Sequence, residues 1–253
     1  ENKSYEELDT DDSNPVFNSL AYNEFLRTTG TGINFKFGFI YRLHQMVRLG
    51  GAVHTPTFFS LEDEFSTTMD YSYVDNQGTL QETLEPVRSP SGLYDYKLQT
   101  PWRLIGSAGV LLGKTGFLSG EVEWVDYSSA AFNFHRATTS ADENYERELN
   151  NQIQDEFQAS LNVRLGVELR YEIFRFRGGY QLSTSQFVGD PNIYDGFSAG
   201  VGIDEKTFFL DLAYRRTTTG ETYIPYVTAS EPQQSVTNDG VLQRYLLTIG
   251  FKF

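Results

Sequence analysis

Residues 157–171 read FQASLNVRLGVELRY, and apolar and polar side chains alternate through all 15 positions. The apolar set is Phe157, Ala159, Leu161, Val163, Leu165, Val167, Leu169 and Tyr171. The other set consists of glycine and polar residues, including Arg164, Glu168 and Arg170. A period of two predicts a β-strand whose faces meet different surroundings. A strand of this length is also far longer than the five or six residues usual in soluble proteins.

Eight further segments show the same alternation less regularly. They are 33–42, 46–55, 97–112, 117–129, 174–184, 196–204, 207–216 and 241–253. The connections between the nine predicted strands are short and long in turn. Short turns fall at 44–45, 114–116, 173–174 and 204–206, and long connections at 60–96, 130–156, 185–195 and 217–240. This layout is typical of outer-membrane barrels, which have short periplasmic turns and long extracellular loops.

The sequence therefore predicts an all-β fold, a transmembrane antiparallel outer-membrane β-barrel with short helices in its extracellular loops. A soluble β-sandwich is the alternative, because its strands alternate as well. The predicted lengths of 9 to 16 residues favour the membrane barrel, since a tilted strand needs about 9–11 residues to span a bilayer.

Composition excludes several classes of protein. The net charge of −14 argues against nucleic acid as a partner. The absence of cysteine rules out thiol catalysis and a cysteine zinc site. His44, His54 and His135 are the only histidines, and their positions do not suggest a catalytic pair. We expect no enzyme activity, no cofactor and no metal site, and we interpret the acidic loops as solvated charge.

The odd number of predicted strands leads to an expectation about the domain. Bacterial barrels have an even number of strands, and an unpaired strand edge is not viable in lipid. We therefore expect 1–253 to be a single barrel domain that is incomplete at its N-terminus, with an extracellular loop at 1–31 and nine strands within 32–253.

Several segments resemble the FadL/TodX family of outer-membrane transporters for long-chain fatty acids and aromatic hydrocarbons. They are 31–42 (TGINFKFGFIYR), 49–58 (LGGAVHTPTF), 100–103 (TPWR) and 121–128 (EVEWVDYS). The end, 247–253 (LTIGFKF), resembles the insertion signal that many outer-membrane barrels share. The resemblance implies a barrel of fourteen strands, of which this chain would hold the last nine. It also implies that 1–31 and 60–96 are the third and fourth extracellular loops, which form an apolar capture groove in the family.

By this resemblance, the expected function is passive uptake of hydrophobic small molecules across the bacterial outer membrane, by loop capture and diffusion through the barrel. The expected partners are outer-membrane lipid, lipopolysaccharide and the hydrophobic substrate, with room for a protein partner at either rim. Two alternatives remain open: a barrel that docks or shuttles components of a secretion or surface-assembly complex, and a general porin.

The candidate capture groove combines two segments of the chain. After Asn14-Pro15, apolar residues recur at the spacing of one helix face, namely Val16, Phe17, Leu20, Ala21 and Phe25. This spacing predicts a short loop helix. Such a helix either packs on the barrel rim or offers apolar side chains to a substrate. The second segment would add four residues, namely Phe58, Phe59, Phe65 and Met69.

Charged residues on the polar faces of the strands form the second candidate site. They include Arg48, Arg103, Glu121, Glu123, Arg164 and Glu168. We expect them to line the barrel lumen, where mixed charges pair and stiffen the wall. An arginine among them could instead hold a fatty-acid carboxylate, and the sequence does not rank Arg48, Arg103 and Arg164 for this role.

Overall fold

The structure of the chain, a computed structural model, describes residues 2–8, 17–134, 140–223 and 236–252. One helix of 17 residues, α1, covers Ser140–Glu156, and a short 3-10 turn covers Tyr127–Ser129. The strands are β1 (Asn2–Leu8), β2 (Phe17–Ile33), β3 (Lys36–Arg42), β4 (Val47–His54), β5 (Phe58–Val74), β6 (Leu80–Glu82), β7 (Val87–Arg88), β8 (Gly92–Gln99), β9 (Arg103–Leu111), β10 (Gly116–Asp126), β11 (Ala131–Asn133), β12 (Ala159–Tyr171), β13 (Phe174–Thr184), β14 (Ile193–Asp204), β15 (Phe208–Tyr223) and β16 (Val236–Phe251).

The chain divides into two compact units, each built on its own sheet. One unit comprises 34–56, 100–130 and 150–253, and the other comprises 1–33, 57–99 and 131–149. We call their sheets the nine-stranded sheet and the second sheet.

The nine-stranded sheet contains the nine strands that the sequence predicts. Its order is β3-β4-β9-β10-β12-β13-β14-β15-β16, and every neighbouring pair is antiparallel. Strands that are consecutive in the sheet are also consecutive in the chain, apart from the insertions that carry the second sheet and α1. The short connections span only two to four residues, as between Tyr171 and Phe174, whereas the long ones all lie at the opposite strand ends.

Opposite faces of the nine-stranded sheet carry opposite chemistry. The polar face holds Arg48, Glu121, Arg164, Glu168, Arg177 and Asp211, and the apolar face holds Val53, Leu104, Trp124, Leu165, Phe176 and Leu212. Exposure to solvent is inverted relative to a water-soluble protein. On β12, Leu165 and Leu169 are 56% and 50% exposed, whereas Glu168 is only 6% exposed. Soluble proteins almost never bury a glutamate fully unless it is paired, and Glu168 pairs with Arg170 and Arg177.

Two details of the predicted strands differ from the structure. Segment 97–112 is predicted as one strand but forms the end of β8 and then β9, with Pro101 between them. Proline has no N–H to donate, so it interrupts the ladder of hydrogen bonds at this point. β15 and β16 are longer than predicted and pair over 16 residues, from Phe208 opposite Phe251 to Tyr223 opposite Val236.

The helix predicted around 16–26 is wrong. Val16 lies outside the described residues, and 17–33 form β2. The side chains that suggested a helix recur at a spacing of four, as in Phe17, Ala21 and Phe25. This spacing fits one face of a helix, but it is also a multiple of the two-residue period of a strand. Residues 17–33 form a strand because β2 pairs with β5 along its length. By contrast, the long connection 130–156 does contain a helix, α1, as the expectation of helices in the extracellular loops implies.

The second sheet lies in segments that the sequence analysis treats as long loops. Its order is β1-β2-β5-β8-β11, and β6 and β7 also pair with β5. β2 and β5 are 17 residues each and form its central pair. The loops expected at 1–31 and 60–96 therefore contain regular β-structure of their own.

The inverted faces predict how neighbouring residues on β14 react with a water-soluble reagent. Because the chain has no cysteine, single cysteines can be introduced without background labelling. In protein reconstituted into lipid vesicles, we expect Ser198→Cys, on the polar face, to react with a water-soluble maleimide at least about tenfold faster than Phe197→Cys, since a thiolate is disfavoured in hydrocarbon. Glu143→Cys on α1 serves as the fully reactive control, and equal rates at 197 and 198 would contradict the assignment of faces.

Candidate functional site

The polar face of the nine-stranded sheet carries a first cluster of paired charges on β10 and β12. Glu121 lies directly opposite Arg164 in the register, and their side chains are 2.5 Å apart. The same guanidinium lies 3.5 Å from Glu123, which also accepts a hydrogen bond of 3.0 Å from the Asn162 amide. Ser183 on β13 donates to Asn162 at 2.6 Å. The register of three strands therefore brings these groups onto one face and satisfies the almost fully buried Glu123.

A second cluster surrounds Glu168 nearer the short turns. Its carboxylate accepts hydrogen bonds from Arg170 at 2.6 Å and from Arg177 at 2.8 Å. Arg177 also donates to Asp211 on β15 at 2.6 Å. Three charges from β12, β13 and β15 thus form a continuous chain across the sheet. Beyond it, Asp204 pairs with both Arg175 and Lys252.

Arg48 and Arg103 differ from the other predicted lumen charges. Arg48 faces Arg42 across the β3–β4 pair, and His54 lies between Lys36 and Arg103 in the register. Neither Arg48 nor Arg103 forms an ion pair with any residue in the described part of the chain. The structure thus separates arginines that carboxylates already hold, such as Arg164, from arginines whose charge is unused.

Arg48, Glu121 and Arg164 border one cavity of about 430 Å³. Small residues complete much of its wall, namely Gly50, Ser107, Gly109, Ser119 and Gly166. Three of the six predicted lumen charges are therefore brought together around an open space, and Arg48 is the one among them that can still bind an anion.

The second sheet separates the predicted capture residues onto two faces. One face, which we call the aromatic face, carries Leu20, Phe59, Phe65 and Met69. Phe17 also lies on this face, opposite Tyr73, because of a β-bulge between Phe17 and Ser19. Phe25 and Phe58 lie on the other face. The ring of Phe59 lies over Gly32, and the ring of Phe65 lies over Gly92. A Cβ atom added to Gly32 would be 2.5 Å from the Phe59 ring, and one added to Gly92 would be 2.3 Å from the Phe65 ring. These rings are packed on the sheet, and a side chain in place of either glycine would displace them.

A cluster of aromatic rings that the sequence pattern did not predict continues the aromatic face. Tyr94 and Tyr96 on β8 lie beside Phe132 and Phe134, with ring centroids 5.4 Å apart for Tyr94–Phe134 and 5.7 Å for Tyr96–Phe132. Tyr145 of α1 stacks on Phe134 at 5.8 Å. The available signal was the two-residue spacing of Tyr94 with Tyr96 and of Phe132 with Phe134.

The two tyrosines of this cluster remain protonated well above neutral pH. Burial, followed by the charge of Asp142, raises the pKa of Tyr94 above its usual value. Burial, followed by the carboxylate of Asp63, does the same for the pKa of Tyr96. The rings and hydroxyl groups of Tyr94 and Tyr96 are therefore neutral at pH 7.

Two other features are absent from the described ranges. No group of three or more acidic or histidine side chains there is arranged to hold a metal ion. No helix within those ranges is both long enough and apolar enough to cross a membrane.

The order of the strands, their lengths and the inverted faces define an outer-membrane β-barrel fold. In the part of the chain that the structure describes, β3 and β16 are the two edges of the nine-stranded sheet, and they do not pair to close a barrel. Comparison with solved structures agrees. The fold is similar to that of the CymD monoaromatic hydrocarbon channel, with a TM-score of 0.50 and 12% sequence identity, over 100% of this chain and 72% of that one.

The toluene transporter TodX of Pseudomonas putida is also similar, with a TM-score of 0.47 and 13% identity, over 90% of this chain and only 52% of that one. The likeness to the CymD channel shows the same fold that the resemblance in the sequence implies. No protein-family model matches the sequence, and no curated protein is significantly similar to it.

The buried charge cluster should contribute measurably to stability. Replacing Glu168 by Gln keeps its shape but leaves Arg170 and Arg177 without their shared carboxylate. We expect Glu168→Gln to lower the free energy of unfolding by about 1–3 kcal/mol, less than for a fully buried pair because the arginines are partly exposed. Urea unfolding in lipid vesicles, followed by tryptophan fluorescence, measures the change.

Glu143→Gln is the matched control, because Glu143 is exposed on α1 and has no ion pair among the described residues. An equal effect of the two substitutions would show that the cluster adds nothing to stability.

Proposed function

We propose that this chain is part of an outer-membrane β-barrel transporter that takes up hydrophobic small molecules, with aromatic hydrocarbons as the first candidates. The observation that carries the proposal is the inverted nine-stranded sheet, with paired charges on one face and exposed Leu, Val and Phe side chains on the other. A face of this kind is stable against lipid and costly against water.

The dimensions of the sheet support a location in the outer membrane. Its strands from β12 to β16 have 11 to 16 residues each, which is enough to cross the bilayer at the usual tilt. Outer-membrane lipid and lipopolysaccharide would then contact the apolar face. The edges of β3 and β16 would pair with further strands in the complete barrel, since open edges are not viable in lipid.

The aromatic face of the second sheet is the surface that we propose for substrate capture. Phe65, Met69 and Tyr71 are 46%, 36% and 41% exposed on this face. Apolar side chains that remain exposed together commonly mark a binding surface. A flat aromatic hydrocarbon would stack on the rings and displace water from them. Transport then needs no cofactor, because diffusion down a gradient supplies the driving force.

The polar face would bound the route through the barrel. Where its charges are paired, as around Glu121 and Glu168, an apolar molecule would meet small residues and neutralised ion pairs. Arg48 is the arginine that we assign to an anionic substrate such as a fatty acid, because it borders the 430 Å³ cavity and no carboxylate among the described residues pairs with it. Arg103 is also unpaired there but does not line this cavity.

Uptake of three labelled compounds tests the proposed function. Gram-negative cells that express the complete gene are compared with empty-vector cells for uptake of toluene, oleate and glucose. We expect toluene, and to a lesser degree oleate, to enter faster, with no change for glucose. Glucose leakage would indicate a general porin. A correctly inserted barrel that takes up none of the three would overturn the transporter and favour a docking role.

The capture surface predicts a difference between the two faces of the second sheet. We expect the triple variant Leu20→Ala, Phe65→Ala and Met69→Ala to raise the toluene concentration for half-maximal uptake by about tenfold, because apolar contact area is lost on the aromatic face. Initial uptake rates over a range of concentrations measure the effect.

The control for this variant is Phe25→Ala with Phe58→Ala, on the opposite face. These side chains have similar exposure, 39% and 54%, and we expect a change of less than about twofold. If both variants weaken uptake alike, the aromatic face is not the capture surface.

A further inference from the structure

A second cavity on the nine-stranded sheet has chemistry unlike that of the charge clusters. It has a volume of about 300 Å³ and lies toward the long connections of β12 to β15. Its wall on the polar face consists of hydroxyl and amide side chains, including Ser160, Asn162, Gln181, Ser183, Thr217 and Thr219. Three aromatic residues, Tyr127, Phe187 and Tyr194, also line it. No charged side chain lines the cavity among the residues that the structure describes.

Part of this polar lining is already used within the protein. Ser160 donates to the Thr184 carbonyl at 2.8 Å, and Ser183 donates to Asn162 at 2.6 Å. The side-chain oxygen of Gln181, Oε1, accepts a hydrogen bond from Arg215 at 2.6 Å. These bonds fix the shape of the wall and leave it rigid.

Other polar groups of the lining remain available to a ligand. The side chains of Tyr127, Gln186, Thr217 and Thr219 have no hydrogen-bond partner within the described ranges. A pocket with a few available donors and acceptors beside aromatic rings suits a small ligand that is partly polar. At about 300 Å³ the cavity is at the small end of ligand pockets, which favours a single ring.

The aromatic part of the lining can hold the flat side of a ring. Phe187 is 44% exposed, and its own ring is held by Phe157, with centroids 5.1 Å apart. The Tyr194 hydroxyl donates to Asp190 at 3.0 Å, which orients the second ring.

Charge near the cavity selects against anions. A larger cavity of about 600 Å³ shares Phe187, Tyr194 and Gly220 with it, and four carboxylates line that neighbour: Asp155, Glu156, Asp190 and Asp239. Hydrogen bonds from the Ser185 hydroxyl and then from the Asn192 N–H hold the pKa of Asp190 below its ordinary value, so this carboxylate is charged at neutral pH. Glu121 and Glu123 neutralise Arg164, whereas Arg215 donates to the neutral Gln181 side chain and keeps its charge, as does Arg244 opposite it. The four carboxylates still outnumber these two arginines.

We propose that the smaller cavity is a binding site for neutral hydroxylated aromatic molecules of the phenol class. The ring would lie against Phe187 and Tyr194, and its hydroxyl would bond to the side chains of Thr217, Thr219 or Tyr127. This site names a substrate class for the proposed transporter and rests on that function for its biological role, although binding itself can be tested separately.

Binding of four probes to the purified full chain in detergent micelles tests the site. Phenol, toluene, benzoate and glucose are titrated at pH 7 by isothermal calorimetry, with protein-free micelles as the blank. We expect phenol to bind at least about tenfold more tightly than benzoate, and glucose not to bind. Benzoate binding as tightly as phenol, or glucose binding more tightly than phenol, would overturn the proposal.

Two variants locate the hydroxyl contacts. Thr217→Val with Thr219→Val removes two hydroxyl groups at nearly constant shape, and Tyr127→Phe removes one without affecting packing. We expect phenol binding to weaken by about fivefold for each hydroxyl that contacts it, while toluene binding changes by less than about twofold. Thr248→Val is the matched control, because Thr248 lies on the same face opposite Asp211, away from the cavity.

Unchanged phenol binding in both variants would overturn the site, and so would an equal loss of toluene binding. The result is distinguishable from failure of the proposed function. Normal toluene uptake by cells without phenol binding here would reject only this site. Phenol binding by a barrel that takes up no toluene would reject only the transport proposal.

Discussion

A strand can lie in hydrocarbon only if every backbone N–H and C=O is hydrogen bonded, and the rest of the nine-stranded sheet depends on this constraint. In the seven inner strands of the nine-stranded sheet, the antiparallel hydrogen bonds to both neighbouring strands satisfy these backbone groups. Successive side chains of a strand point to opposite faces of the sheet, so one face contacts lipid and the other faces the barrel interior. Leu165 can then be exposed to lipid while Glu168, three residues on, is buried among arginines.

The ion pairs on the polar face follow from the same ladder. Glu121 meets Arg164, and Glu168 meets Arg177, because the register places them directly opposite each other on neighbouring strands. A shift of one residue would send these charges into lipid, at a cost of several kcal/mol for each. The pairs therefore hold the register as well as neutralising the face. Arg48 lacks such a partner in the described ranges.

The second sheet shows that the long segments between strands of the nine-stranded sheet have regular structure of their own. β2 and β5 organise apolar side chains that would be costly to expose on an irregular loop, and glycines opposite Phe59 and Phe65 give the rings a flat support. Its aromatic face and the neutral cavity beside Phe187 offer different chemistry. The first suits hydrocarbons, and the second suits rings that carry a hydroxyl group.

The sequence by itself determined the nine strands, their antiparallel order and which residues share a face, because period-two alternation over segments as long as 157–171 has no helical equivalent. It also determined that Arg48, Glu121, Glu123, Arg164 and Glu168 belong to one face. It could not distinguish strand from helix at 17–33, where a spacing of four fits both periods, and it could not locate the break at Pro101 within a longer alternating segment.

Only the tertiary structure decided which charges pair, which arginines remain unpaired and which polar groups surround a cavity. These properties depend on register and on contacts between residues far apart in the chain, such as Arg177 with Asp211 and Tyr94 with Phe134. Local periodicity contains no information about the neighbouring strand, so the partners could be known only after the sheets were assembled.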